Sequence, residues 1–156
     1  MSRRPPLSIQ MQVDILLVED DAEDNTLTLF ALLKHQLTNK FHVARNGQEA
    51  LDYVLCTGQY ANRNITEQPH LILLDLNLQP MGGLEVLRRI RADPRTRTIP
   101  IVMLTASDEE NDLLESYRLG VNSYIVKPVD FKQFKEAARL VAEYWLLLNR
   151  SPSRAA

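Results

Sequence analysis

Residues 13–24 read VDILLVEDDAED, an apolar run that stops at a row of acidic residues. A short and nearly continuous apolar run is typical of a strand buried on both faces, as in a parallel sheet. Similar runs stand at 41–44, 71–74, 99–104 and 122–126, and segments with helical spacing of apolar residues follow each of them. Five strands that alternate with five helices predict an α/β fold with a doubly wound, five-stranded parallel sheet.

The composition fits one globular domain. The chain has 156 residues, and we expect a domain over 12–149 between tails at 1–11 and 150–156. With 18 basic and 20 acidic residues, it lacks the net positive charge of a nucleic-acid-binding protein. No apolar run approaches the roughly 20 residues that span a bilayer, so no membrane association is expected. The single cysteine, Cys56, cannot form an internal disulfide, which favours a cytoplasmic protein.

Polar residues stand where four of the predicted strands end. Glu19 and Asp20 follow the first strand, and Asp75 follows the third. In parallel sheets, ligands bind at the carboxyl ends of the strands, so these carboxylates should converge in one crevice. Converging carboxylates repel each other unless a cation is present, and Mg²⁺ fits because it leaves positions for phosphate oxygens. Thr105 and Lys127, after the fourth and fifth strands, could bind those oxygens.

Each of these residues taken alone also has an ordinary structural explanation. Acids after a strand, such as Asp21 and Glu23, often cap the following helix. A lone threonine at a strand end is usually a core residue, and a lone lysine is usually solvated. The functional interpretation rests on the joint occurrence of matching polar residues at all four strand ends.

Four motifs in order resemble the CheY-like receiver domain of two-component response regulators. They are LLVEDDAED at 16–24, LILLDLNLQPMGG at 71–83, IVMLTAS at 101–107 and NSYIVKPVD at 122–130. The resemblance covers nearly the whole chain and implies the flavodoxin-like strand order 2-1-3-4-5. One departure is the turn Met81-Gly82-Gly83, which lacks the Asp or Asn that commonly precedes the glycine there.

The resemblance also implies roles for individual residues. Asp75 would be the phospho-acceptor, Thr105 and Lys127 would bind the phosphoryl oxygens, and Tyr124 would be an aromatic switch residue. The Lys127–Pro128 peptide bond would be cis. The implied ligands of Mg²⁺, or of Mn²⁺ in its place, are Glu19, Asp20, Asp75 and the backbone carbonyl of Asn77. Such a protein is a phospho-accepting regulator that assists its own phosphoryl transfer and hydrolysis, rather than an enzyme acting on a separate substrate.

Three further segments are most similar to the small response regulators associated with cyanobacterial and bacterial phytochromes. They are the polar stretch at 57–69, the segment at 117–131 and the ending EYW at 143–145. The similarity implies a phytochrome-type histidine kinase as the phosphodonor.

The last predicted helix, from Val129 to about Asn149, carries more apolar residues than one buried face needs. Too few residues follow Val129 for a DNA-binding domain, so we expect signalling by contact with an unknown downstream protein. We expect a homodimer through this helix, although the helix could instead pack its wide face on the core. The candidate interface residues are Phe131, Phe134, Tyr144, Trp145 and Leu148.

An alternative function is that of a haloacid-dehalogenase-like, Mg²⁺-dependent phosphatase, which also uses an aspartate nucleophile. That family has a second aspartate two residues after the nucleophile, where this chain has Asn77. It also places its metal-binding acids late in the chain, whereas Glu19 and Asp20 come early. A nucleotide-binding fold is less favoured still, because acids and not glycines follow the first strand.

Overall fold

The computed structural model describes residues 13–37, 40–150 and 152. The tail expected at 1–11 and most of the tail expected at 150–156 lie outside the described residues. The strands are β1 (Ile15–Val18), β2 (Phe41–Ala44), β3 (Leu71–Leu74), β4 (Ile101–Thr105) and β5 (Ser123–Val126). The helices are α1 (Ala22–Lys34), α2 (Gly47–Leu55), α3 (Gly83–Ala92), α4 (Glu110–Arg118) and α5 (Phe131–Glu143), and a π-helical turn over Tyr144–Leu148 follows α5.

The five strands form one parallel sheet in the order β2-β1-β3-β4-β5, as the resemblance implied. Every residue of β1, β3 and β4 is buried, because helices cover both faces of the sheet. One apolar cluster includes Leu16, Tyr53 and Val86 on the α2 and α3 side, and the other includes Leu32 and Ala142 on the α1 and α5 side. β5 is an edge strand and is only partly buried.

Aspartate side chains cap the first and last helices at their N-termini. α1 begins at Ala22 because the Asp21 carboxylate accepts a hydrogen bond from the Asp24 N–H, at 3.0 Å. The capping explanation is therefore correct for Asp21. Asp130 caps α5 in the same way through the Gln133 N–H, at 3.0 Å. Among the described helices, none combines the length and the apolar character needed to cross a membrane.

The polar stretch after α2 is held in place by Arg63, which is 7% exposed. Its guanidinium lies 3.7 Å from the centroid of the Tyr53 ring. It donates hydrogen bonds to the backbone carbonyls of Tyr53 and of Glu67, the latter at 2.7 Å. His42 of β2 stacks on the other side of this cluster, with its ring 4.4 Å from the Tyr53 ring. A segment predicted as a plain polar loop is thus packed around a buried cation.

Candidate functional site

The predicted crevice forms at the carboxyl edge of the sheet. β1 and β3 pair with Val18 beside Leu74, so the next residues, Glu19 and Asp75, are neighbours. β4 and β5 pair with Thr105 beside Val126, and the Lys127 N–H donates to the Thr105 carbonyl at 2.7 Å. The parallel register therefore brings the polar strand ends together, as the sequence predicted.

Lys127 lies at the centre of the crevice and contacts three carboxylates. Its ammonium nitrogen lies 2.7 Å from Asp24 Oδ2 and 3.2 Å from Asp75 Oδ2, and it also donates to Glu19 Oε2. The side chains of Lys127, Glu19 and Asp75 are 10%, 5% and 8% exposed. Asp24 was assigned no role from the sequence, although it belongs to the same acidic run after β1 as Glu19 and Asp20.

Protonation is unequal between the two buried carboxyl groups. Burial raises the pKa of Glu19 to about 8, and its hydrogen bond with Asp75 adds to this effect against the opposing charge of Lys127. Burial alone would also raise the pKa of Asp75. The hydrogen bonds from Glu19 and from the Asn77 N–H, with the charge of Lys127, outweigh burial and hold the Asp75 pKa below its usual value. Asp75 is therefore the ionised member of the pair.

The charge of Lys127 is stabilised by the same cluster. Burial alone would lower the pKa of Lys127, because it penalises the charged form. The hydrogen bonds to Asp24 and Glu19 outweigh burial, and the Lys127 pKa is raised. An ionised carboxylate beside a permanently charged ammonium can accept an electrophile and neutralise the charge that arrives with it.

The acidic residues of the crevice also form a donor set for a divalent cation. Oxygen atoms of Glu19, Asp20 and Asp75 all lie within 4.8 Å of one another. Asp20 is open to solvent, whereas Glu19 and Asp75 are buried. Such a set of three carboxylates suits a hard cation that keeps some of its water ligands, and Mg²⁺ and Mn²⁺ both fit. The Asn77 N–H donates to Asp75 Oδ1 at 3.0 Å, which places its peptide beside this set; the carbonyl of Asn77 stays a predicted ligand.

Little space is enclosed beneath these residues. Within the described part of the chain, the cavity lined by Glu19, Asp24, Asp75 and Lys127 has a volume of about 10 Å³. That is at the lower limit for one water molecule. A reacting group must therefore approach from the open side of the crevice.

Thr105 and Tyr124 are linked through one residue, Ser107. The Thr105 hydroxyl oxygen is fully buried and accepts hydrogen bonds of 3.4 Å from the Ser107 N–H and from the Asn77 side-chain amide. These distances are at the long limit, so the two bonds that the hydroxyl accepts are weak, while its hydrogen bond with Asp75 contributes to the lowered Asp75 pKa. The Tyr124 hydroxyl donates to the Ser107 carbonyl at 2.9 Å, and burial raises the Tyr124 pKa. Ser107 also donates through Oγ to Asp112 of α4, a connection that the sequence motif did not indicate.

Glycine at position 83 allows the loop after β3 to fold back over the acceptor. The Gly83 N–H donates to the Leu76 carbonyl at 2.9 Å. A Cβ atom at position 83 would lie 2.2 Å from the backbone carbonyl oxygen of Asp75. The turn at 81–83 therefore lies close to the backbone of Asp75 and Leu76, although it lacks the Asp or Asn that is common in the family at this turn.

One backbone expectation is wrong. The cis peptide bond among the described residues is Gln79–Pro80, and Lys127–Pro128 is trans. The two isomers of an X–Pro bond differ by only about 0.5–1 kcal/mol, so a Lys-Pro motif does not by itself determine the isomer.

The candidate dimer residues of the last helix do not share one surface. Phe134 is 4% exposed and belongs to the core, so its assignment to an interface is wrong. Trp145 is half-buried and packs against the α1 and α5 cluster. Phe131 is exposed but lies towards α1, because Lys135 lies over both the Phe131 and the Phe30 rings. Of the five candidates, Tyr144 and Leu148 are exposed at the far end of the helix.

A second set of exposed apolar residues was missed. They lie on α4, on the edge strand β5, on α5 and in the π-helical turn that follows it: Leu114, Tyr117, Val126, Leu140 and Leu147. The helical spacing of the last helix predicted an apolar surplus correctly. It could not show which side faces the core, because both stripes are apolar.

Comparison with known proteins gives one consistent result. Residues 15–139 match the family described as "Response regulator receiver domain". Response regulator Rcp1 of Synechocystis sp. is 36% identical over 132 residues, which cover 85% of this chain and 88% of that protein. The crystal structure of the Mn²⁺-bound form of response regulator Rcp1 has a TM-score of 0.82 and covers 88% of this chain and 97% of that chain, at 36% identity.

Two further solved structures are similar over almost their whole length. The phosphorylated cyanobacterial phytochrome response regulator RcpA has a TM-score of 0.84 at 38% identity, covering 91% of this chain and 99% of that one. The bacteriophytochrome response regulator AtBRR has a TM-score of 0.69 at 50% identity, covering 90% of this chain and 100% of that one. With a family match over most of its length, this chain belongs to the response regulator receiver domain family of two-component systems and is related to the phytochrome response regulators.

Proposed function

We propose that Asp75 accepts a phosphoryl group from the phosphohistidine of a phytochrome-type sensor kinase. The observation that carries the proposal is the contact between the Lys127 ammonium and Asp75 Oδ2, 3.2 Å apart, beside the donor set of Glu19, Asp20 and Asp75. The kinase class rests on the names of the relatives, of which RcpA and AtBRR are described as phytochrome and bacteriophytochrome response regulators.

The reaction is an in-line transfer in which the crevice supplies position and charge. A bond forms between an Asp75 carboxylate oxygen and phosphorus while the phosphorus–nitrogen bond of the donor breaks, and the electron pair leaves with the imidazole. The Asn77 N–H holds Asp75 Oδ1, and Lys127 and the Thr105 hydroxyl would bind phosphoryl oxygens. Bound by Glu19, Asp20 and Asp75, Mg²⁺ or Mn²⁺ would neutralise charge on the transferred group. The same groups would assist the later hydrolysis of the acyl phosphate.

The output of the reaction is a change in the surface around α4 and β5. The hydrogen bonds that Thr105 accepts are long, and its O–H, which interacts with Asp75, could donate instead to a phosphoryl oxygen. Ser107 connects Thr105 to Tyr124 of β5 and to Asp112 of α4. We infer that movement of Thr105 towards the phosphoryl group displaces this loop and alters the contacts that a downstream protein reads.

Phosphotransfer from candidate phytochrome-type histidine kinases, with and without Mg²⁺, tests the proposal. We expect radiolabel from the kinase to appear on the protein only with the divalent cation, and Asp75→Asn to abolish it. Asp108→Asn is a matched control, because Asp108 is an exposed aspartate on the loop beside the crevice. Labelling of Asp75→Asn equal to that of the parent protein would contradict the proposal.

We also propose a homodimer through the surface formed by α4, β5, α5 and the π-helical turn. Its apolar residues include Leu140, Tyr144 and Leu147, which are 53%, 48% and 63% exposed. Exposed apolar residues that cluster on one side of a protein commonly mark an interaction surface. β5 is an edge strand of the sheet and could add backbone contacts.

Sedimentation over a range of concentrations tests the dimer. Leu147→Glu should shift the protein towards the monomer, because a buried, unpaired carboxylate is costly at an interface. Leu33→Glu is the control, since Leu33 is 49% exposed but lies on α1, which is not part of the proposed surface. An unchanged distribution for Leu147→Glu would remove this surface from consideration.

The phosphatase alternative has no support from the comparisons, and the crevice itself does not favour it. A haloacid-dehalogenase-like phosphatase has a second aspartate two residues after the nucleophile, and the crevice has Asn77 at that position. We place the protein in the cytoplasm, a location supported by its single cysteine.

A further inference from the structure

We propose that Asp24 is a positioning residue for phosphoryl transfer: it holds the Lys127 ammonium towards the acceptor while the other carboxylate partners of Lys127 are engaged by the divalent cation. The inference rests on the proposed function, because it assigns a role within transfer to Asp75. Asp24 lies outside the metal-binding set, and the resemblance to the family implied no role for it.

Asp24 is separate from the metal donors. Of the three carboxylates that contact Lys127 among the described residues, Glu19 and Asp75 belong to the donor set and Asp24 does not. A cation that binds Glu19 and Asp75 withdraws electron density from the oxygens that also face the ammonium. Asp24 is the partner whose hydrogen bond, at 2.7 Å, is independent of the cation.

The ammonium has enough N–H donors to keep one of them on Asp24. Lys127 has three N–H groups and cannot accept a hydrogen bond. One donor kept on Asp24 leaves two for Asp75 and for an incoming phosphoryl oxygen. Without Asp24, the flexible four-carbon side chain has no fixed anion to orient it during transfer.

The backbone of Asp24 is held in place by the N-terminal cap of α1. It lies in the first turn of α1, and its N–H donates to the capping carboxylate of Asp21 at 3.0 Å. Its side chain is 28% exposed, so it reaches the crevice from the rim and not from the core. Asp24 therefore connects the start of α1 to the end of β5, across the site.

Acetyl phosphate is a suitable donor for the test, since no kinase surface contributes to its reaction. The Asp75 oxygen–phosphorus bond forms as the phosphorus–oxygen bond of acetyl phosphate breaks, and acetate leaves with the electron pair. At saturating Mg²⁺ and acetyl phosphate, Asp24→Asn should lower the limiting rate of Asp75 phosphorylation roughly tenfold, because a mispositioned catalytic group slows the transfer step. Asp24→Glu should recover part of the rate.

The matched control is Glu23→Gln, which removes one negative charge from the same helical turn at an exposed residue. Its rate should remain within about twofold of the parent rate, since surface charges are screened. If Asp24→Asn reacts as fast as the parent protein, or faster, the proposal is overturned. A faster reaction would mean that Asp24 competes with the phosphoryl group for Lys127.

A double-mutant cycle separates positioning from a general effect on folding. In a Lys127→Met background, Asp24→Asn should change the rate less than about twofold, since its partner is already absent. A tenfold loss that persists in that background would overturn the proposal. Failure of the proposed function has a different readout. If the proposed function is wrong, the parent protein itself will not be phosphorylated at Asp75, whatever residue stands at position 24.

Discussion

Lys127 and Arg63 are both buried cations, yet they are paired in opposite ways. The Lys127 side chain is 10% exposed and contacts three carboxylates at the carboxyl edge of the sheet. Arg63 is 7% exposed and contacts backbone carbonyls and the face of the Tyr53 ring. One cation is surrounded by charged groups and the other by neutral ones.

The difference distinguishes a cation that can take part in function from one that stabilises the fold. Carboxylates can exchange an ammonium for a metal ion, and an ammonium can exchange a carboxylate for a phosphate, so the Lys127 cluster can be rearranged by ligands. Peptide carbonyls and an aromatic ring offer Arg63 no such exchange. A buried charge with exchangeable partners therefore points to function, whereas a buried charge satisfied by the backbone points to the fold.

The largest expected effect is on the Lys127 side of this comparison. Lys127→Met should reduce the rate of Asp75 phosphorylation by about 100- to 1000-fold, or roughly 2.7–4 kcal/mol, because it removes a positioned donor from the transferred group. The melting temperature measured in Mg²⁺ should change little, since the cation compensates the remaining carboxylates. A rate within a few fold of the parent value would show that Lys127 is only a structural counter-charge.

The reverse result is expected for Arg63. Arg63→Ala should lower the free energy of unfolding by about 2 kcal/mol, because the buried carbonyl of Tyr53 and the partly buried carbonyl of Glu67 lose their donor. The phosphorylation rate should stay unchanged. Urea unfolding measures the first quantity, and Arg95→Ala is the control, since Arg95 is an exposed partner of Asp93 and such pairs contribute little. A loss of phosphorylation without a loss of stability would reverse the interpretation of Arg63.

The smallest expected effect is a pH dependence beside Arg63. Burial lowers the pKa of His42, and the charge of Arg63 adds to this against the opposing influence of Glu49. The unfolded chain therefore takes up this proton at a higher pH than the folded protein, so stability falls as the pH drops below about 6.5.

Unfolding measured at pH 7.5 and 5.5 tests this expectation. His42→Phe keeps a ring against Tyr53 but cannot be protonated, so it should lose less stability between the two values than the parent protein. Equal losses would show that His42 does not contribute to the pH dependence. The phosphorylation site should be unaffected in either case, because His42 contacts the α2 side of the sheet.

The sequence was most informative where chain order alone determines position. Glu19, Asp75 and Lys127 follow strands of one parallel sheet, so their convergence required only the strand order. Asp24 was harder to assign, because its contact with Lys127 depends on where α1 begins, and that is set by the Asp21 cap. The last helix was misread at Phe134, since two apolar stripes are equivalent until the sheet is in place.

Arg63 could not have been found by pattern at all. It stands in a polar stretch without periodicity, and arginine is rarely buried. Its burial results from tertiary contact with Tyr53 on α2, which no local signal in residues 57–69 describes. Long-range packing of a polar residue leaves no trace in hydrophobic spacing.

Gly83 gives the acceptor a vulnerability that involves no charge. A side chain of any kind at this position would place its Cβ 2.2 Å from the carbonyl oxygen of Asp75 and 2.8 Å from Leu76 Cα. The backbone of the acceptor would have to move to make room, although every ionisable group of the crevice would still be present. Steric exclusion eight residues after the acceptor therefore limits the sequence variation that this receiver can tolerate. A single added methyl group at this position could prevent phosphorylation although every ionisable group of the site is retained.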